Sequence, residues 1–179
     1  MTARHFALSA IGVDRPGIVA GVTGALVDLG CNLEDTSMSV LRGRFAVVMI
    51  VAGPESLEAE ELEDALRPEA ERLGLAVWAH EVDERSTAAA AGESWTVSVH
   101  GADHPGIVHG VAGALADAGA NIVDLTTRVL PGDPAVYAML IEVVVPDGSD
   151  GPALARRLAE RGREMGVSCT MHSSDTDIL

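Results

Sequence analysis

The residues best suited to chemistry in this chain of 179 residues sit in a phrase that occurs twice, GVDRPGIVAGVTGAL from Gly12 and GADHPGIVHGVAGAL from Gly101. Each copy sets an acid and a Pro-Gly pair ahead of an apolar run with helical spacing. Asp14 or Asp103 can cap that helix. Pro16 or Pro105 suits a first helical turn, where a missing N–H is no loss, and Gly17 or Gly106 lets another group approach the backbone closely. The N–H groups of Gly17, Ile18 and Val19 would then point out of the helix end, where the dipole favours an anion such as a carboxylate. Asn32 and Asn121 each follow a helix-ending glycine and offer an amide to a ligand's polar groups. The same residues also serve as plain punctuation, Pro-Gly for a helix start and Gly-x-Asn for an exit. An asparagine kept at the same place in both copies favours a ligand, because capping does not demand it.

The copies differ where it matters for binding. Arg15 in the first can pair with a carboxylate, whereas a neutral His104 at the matching position of the second cannot, so two pockets of unequal affinity are expected. His100, Asp103, His104 and His109 also suggest a metal, but they straddle a strand end, a turn and a helix without recognised ligand spacing, and no metal or cofactor is expected. Cys31 and Cys169 occupy unmatched places in the two copies and suit buried free thiols; pairing Cys31 with a distant histidine as a nucleophile is the weaker reading. The chain has no Asp-x-Asp-x-Thr phosphatase loop, no Gly-x-Ser-x-Gly elbow and no Walker-type phosphate loop, and it is read as a non-enzyme.

The elements that must position these residues repeat as well. Asp14 and Asp103 stand 89 positions apart, a shift that also pairs Gly30 with Gly119 and Asn32 with Asn121. Alternation in HFALSAIG predicts a half-buried strand with Phe6, Leu8 and Ala10 on one face, matched by Trp95, Val97 and Val99. Ile18, Val22, Ala25, Leu26 and Leu29 share one helical face, as do Ile107, Val111, Ala114, Leu115 and Ala118. Two strand-like runs, a second helix and a short last strand follow in each copy, and the second hairpin is three residues longer, so that Tyr137 matches Phe45. Pro68 is expected to kink or restart its helix. Gly21, Gly24, Gly110 and Gly113 each cost about 1 kcal/mol against alanine, which implies close packing on the sheet or against another subunit.

The expectation is an α+β protein of two ferredoxin-like βαββαβ units, each an antiparallel four-stranded sheet with two helices on one face. The boundaries are 1–83 for the first, 84–93 for a linker that could extend a helix, 94–172 for the second and 173–179 for a tail.

Composition narrows the function. The net charge is −15 and every fixed cation is an arginine, which argues against direct nucleic-acid binding. Aromatic residues make up 3%, too few for a base-stacking platform. No apolar run is long enough to span a bilayer and no signal peptide is recognised, so a cytoplasmic location without membrane contact is expected. The acidic helix at Glu55–Glu71 and the Arg156, Arg157, Arg161, Arg163 helix carry opposite fields that could dock two surfaces or simply face solvent.

Two βαββαβ units, each with Asp-x-Pro-Gly-Ile-Val after the first strand and Gly-x-Asn before the second, resemble tandem ACT domains. The arrangement is similar to that of the glycine cleavage system transcriptional repressor group. The resemblance covers nearly everything except the linker and the tail. It implies a regulatory module that pairs with another ACT domain, as a homo-oligomer such as a dimer, and binds a small molecule, often an amino acid, by the first turn. Carried over, the ligand positions are Asp14, Arg15, Pro16, Gly17, Ile18 and Asn32, and Asp103, His104, Pro105, Gly106, Ile107 and Asn121. The expected role is amino-acid sensing through protein-protein contacts, with control of glycine or one-carbon metabolism. The alternatives are a ligand-free adaptor and a fragment related to ACT-bearing enzymes such as formyltetrahydrofolate deformylase.

Overall fold

Alternating side chains build the first sheet. Strand β1 (Arg4–Val13) sends Phe6, Leu8 and Ala10 to one side, and β3 (Arg44–Gly53) sends Phe45, Val47, Met49 and Val51 to the same side, where all are buried. Helix α1 (Ile18–Asp28) covers them with Ile18, Val22 and Leu26, one per turn, and α2 (Ala59–Leu73) adds Leu62, Leu66, Ala70 and Leu73. Fully burying side chains of this size gains about 1.5–3 kcal/mol each. With β2 (Asn32–Leu41) and β4 (Leu75–Val82) at the edges, the strand order is β2-β3-β1-β4 and all pairings are antiparallel. The computed structural model describes residues 3–82, 91–132 and 135–174.

The second unit repeats this plan with β5 (Gly92–Ala102), α3 (Ile107–Asp117), β6 (Asn121–Leu130), β7 (Val136–Pro146), α4 (Gly151–Glu164) and β8 (Val167–Ser173). Its sheet runs β6-β7-β5-β8. Its separate core gathers Val97, Val99, Val111, Leu115, Ile141 and Leu158. The chain thus divides into two units, Met1–Thr87 and Ala88–Leu179, each a ferredoxin-like α+β fold. The expected linker, 84–93, lies mostly outside the described residues, although β5 begins within it at Gly92; residues 175–179 of the expected tail also lie outside them. Among the described residues no helix is long and apolar enough to cross a membrane.

Two expectations are corrected. Of the kink or restart expected at Pro68, the restart does not occur: helix α2 continues to Leu73, because the Leu62, Leu66, Ala70 and Leu73 stripe holds both sides of the proline on the sheet. Its start is secured by the Glu58 N–H, which donates to Glu61 Oε2 at 3.0 Å. The helical glycines do not pack on the sheet. Gly21 faces the Glu69 side chain of α2 and Gly110 faces Met165 and Arg161, so small size lets the second helix approach the first, while Gly24 and Gly113 have nothing within 4 Å. On the charged helices, exposed side chains pair one turn apart: Arg67 with Asp64, Arg72 with Glu69, Arg161 with Glu164, Arg163 with Glu160.

Candidate functional site

Both repeated turns are built around a glycine that no other residue replaces cheaply. Gly17 has φ 92° and Gly106 φ 99°, the left-handed region, and each is the N-cap of its helix. The prolines therefore precede the cap and do not occupy the first helical turn. No side chain caps either helix, so the capping role expected of Asp14 and Asp103 does not occur. The left-handed glycine turns the chain so that the acid stays with the sheet: the Asp14 N–H donates to Gly43 O at 2.9 Å, tying the turn to the β2–β3 hairpin. The first intrahelical bonds run from Gly21 N–H to Gly17 O and from Gly110 N–H to Gly106 O, each 2.9 Å. The N–H groups of the intervening first turn have no partner inside the helix, as at any helix start. Ile18 and Ile107 turn their side chains into the core and offer the site only backbone.

In the second unit this turn borders a cleft of about 390 Å³ lined by Asp103, His104, Pro105, Gly106, Ile107, Val108, His109 and Tyr137. The structure thus brings together five of the six positions expected there. Tyr137 is the residue that sequence reasoning missed. It replaces the buried Phe45 of the first unit, and the polarity of that exchange was the available signal. Burial raises its phenol above the ordinary range, a hydrogen bond with Thr127 opposes this, and the Asp103 carboxylate reinforces it.

Arg15 and His104 both lean toward the C-terminal end of the second helix of their unit. His104 Nε2 donates to Met165 O at 2.7 Å, and its Nδ1 lies 3.0 Å from Pro105 O. A neutral ring has one N–H and can serve only one of these carbonyls. The Arg15 guanidinium reaches the neighbourhood of Gly74, the residue that ends α2, 3.9 Å from where a Cβ would stand. Cationic or donor groups at a helix C-terminus meet its unpaired carbonyls. In the second unit at least, the side chain expected to discriminate ligands also braces the turn.

The asparagines do not join the turn of their own unit. Asn32 pairs with Ala52, which pairs with His5 at the start of β1, whereas Asp14 follows the far end of that strand. Asn121 likewise pairs with Val144, opposite Ser94, while Asp103 follows Ala102. Eight strand residues, about 27 Å at ~3.4 Å each, separate the two ends. The separation follows from topology: α1 and α3 each run along the sheet between turn and asparagine.

Among the described residues no three His, Cys, Asp or Glu groups come together as a metal site. Both thiols are free, Cys31 half-buried and Cys169 buried. Burial raises the Cys31 thiol and pushes that of Cys169 up to about 11, the opposite of an activated nucleophile.

The sequence profile of the ACT domain matches residues 4–80, and a second ACT-domain profile matches residues 95–162. The glycine cleavage system transcriptional repressor of Escherichia coli is 30% identical over 143 residues, 78% of this chain and 73% of that one. A UPF0237 protein of Methanopyrus kandleri is 42% identical over 71 residues, 39% of this chain and 79% of its own. A solved structure of an unknown protein from Galdieria sulphuraria superposes with a TM-score of 0.80 at 27% identity, covering 96% of this chain and 99% of that one.

Proposed function

Because the chain belongs to the ACT-domain family and carries two of its domains in tandem, we propose that it is a non-catalytic regulatory protein that senses a small amino acid. The observation carrying this reading is the cleft beside the Asp103–Ile107 turn, where first-turn N–H groups would receive a ligand's carboxylate and Asp103 and Tyr137 would supply polar partners. A related site at Asp14, Arg15, Pro16, Gly17 and Ile18 serves the first unit. Asn32 and Asn121 enter only through a second copy of the chain, whose edge strand, β2 or β6, would bring an asparagine to the turn, so the sensor is a homodimer in this reading. The chain works in the cytoplasm by shifting a population between states that bind or release a protein partner. With a net charge of −15 that partner, and not this chain, contacts any nucleic acid. By the name of its Escherichia coli relative, the regulated process is glycine cleavage.

The test is a calorimetric and thermal-shift screen of the proteinogenic amino acids on the full chain, repeated with Asp103→Asn, Asn32→Ala and Asn121→Ala. Binding of one amino acid that weakens at least tenfold in Asp103→Asn supports the site. Loss on Asn121→Ala together with loss of the dimer supports the shared asparagine. No binding by any amino acid defeats the sensor and favours a ligand-free adaptor, and turnover of a bound compound defeats the non-catalytic assignment.

A further inference from the structure

Charge is segregated along the strands of the first unit. Asp28, Glu34, Asp35, Glu58, Glu60 and Glu61 lie at the end where β1 begins, at the close of α1 and the openings of β2 and α2. Arg4 is held there by Glu58 and Glu81, and along α2 Arg67 pairs with Asp64 and Arg72 with Glu69. At the opposite end Arg15, Arg42 and Arg44 are exposed, and none has a carboxylate partner among the described residues. The Asp14 N–H bond to Gly43 O brings the strand-helix turn and the hairpin tip together. Val13, Arg44 and Leu41 form the last row across β1, β3 and β2, on the face opposite the helices, since the neighbouring Phe45 is buried beneath them. Leu41 is 71% exposed and Val13 43%.

Neither the turn nor the fold calls for these cations. Arg42 and Gly43 have φ 50° and 74°, a two-residue hairpin turn that asparagine or aspartate followed by glycine fills best. The repeat is an internal control: the matching hairpin of the second unit, Pro131 to Ala135, holds no cation and one acid, Asp133, and His104 stands in place of Arg15. In a chain of net charge −15, unpaired guanidinium groups beside open aliphatic side chains form a surface that draws an acidic partner. We infer that this corner docks an acidic segment of a protein partner. Its carboxylates meet Arg42 and Arg44, which take them in bidentate fashion, an apolar side chain lies on Leu41 and Val13, and Arg15 stands at the margin. The inference rests on the reading of the chain as a regulator that acts through another protein, and it names the chemistry of that protein's contact. A small anion would leave Leu41 and Val13 in water, and three arginines do not offset the repulsion between a polyphosphate and so acidic a chain.

The test is selection of a random peptide library, displayed on phage, against the full chain, with enriched peptides synthesised and their affinities read by fluorescence anisotropy. Enriched peptides should carry more than one Asp or Glu beside a Leu, Ile or Phe. Their affinity should fall at least about tenfold for the Arg42→Glu, Arg44→Glu double variant, and equally when Asn and Gln replace their acids. Peptides with lysine in place of the acids should bind the double variant better than the wild type, a reversal that misfolding does not produce; Arg42→Gln with Arg44→Gln serves if thermal melts show the glutamates to be unfolded. Enrichment of neutral or basic peptides, or of acidic ones whose affinity the double variant leaves unchanged, overturns the inference and leaves the regulator a protein partner at another surface. A thymidine oligonucleotide or pyrophosphate that displaces the peptides and binds more tightly overturns it too, as does a second copy of the chain, seen as an assembly mass that the double variant reduces. If no peptide is enriched the inference also fails, while the amino-acid screen decides the sensor reading separately.

Discussion

Cys169 carries a consequence of burial that can be measured. A thiol ordinarily ionises near 9, and desolvation pushes this one up to about 11. Above pH 9 the unfolded chain releases a proton that the native chain keeps, so stability is full below 9 and falls as pH rises toward 11. The raised phenol of Tyr137 acts in the same direction. We expect the denaturant-derived stability of the wild type to drop between pH 8 and 10.5 by at most about 2 kcal/mol more than that of Cys169→Ala; equal drops would mean that the thiol is not desolvated. Alkylation at neutral pH should label half-buried Cys31 before Cys169, with both slow until the chain is unfolded. At the turns, Gly17→Ala and Gly106→Ala force alanine into φ 92° and 99°, at a cost of about 1–2 kcal/mol each. Because no neighbouring atom lies within 4 Å of either added Cβ, that loss isolates backbone strain from crowding, and unchanged melting curves would contradict the left-handed cap.

Helices α1 and α3 each carry two glycines with opposite surroundings. Gly21 is covered by Glu69 and Gly110 by Met165, whereas Gly24 and Gly113 meet nothing within 4 Å. Gly24→Ala and Gly113→Ala should therefore stabilise the isolated chain by about 0.5–1 kcal/mol through helix propensity alone, while Gly21→Ala should not, since Glu69 must move. If Gly24→Ala stabilised the fold but abolished partner capture, the open glycine would be a contact point. The strand elements show a second asymmetry. Edge strands β2 and β6 each take a bulge near their start, between Leu33 and Asp35 and between Ile122 and Asp124, which locally twists an otherwise long edge and limits indiscriminate pairing.

At the scale of the molecule there are two cores, one holding Phe6, Leu62 and Leu66, the other Ile141, Leu154 and Leu158. Leu62→Ala and Leu158→Ala should each cost about 2–5 kcal/mol within their own unit. Scanning calorimetry should show each lowering a different transition, with a calorimetric enthalpy above the van't Hoff value in the wild type. A single transition shifted equally by both substitutions would show that the units unfold as one.

Local periodicity determined much of this protein. The alternation of Phe6, Leu8 and Ala10, the spacing of Ile18, Val22 and Leu26, and a Gly17 or Gly106 turn repeated 89 positions later carry the βαββαβ order twice, because side-chain burial on a strand or helix follows a fixed period. The turn residues Asp103 to Ile107, which line the cleft, were legible as a group for the same reason: they are contiguous. What tertiary structure alone decided depends on distances that no local pattern encodes. Asn121 belongs in sequence to the end of α3, and only the antiparallel register puts it at the far end of the sheet from Asp103. The cap fell to a left-handed glycine and not to aspartate, His104 turned to the Met165 carbonyl, and Tyr137 reached the cleft from a strand some thirty residues away. Each is set by how separate elements meet, and packing, not composition, fixes that.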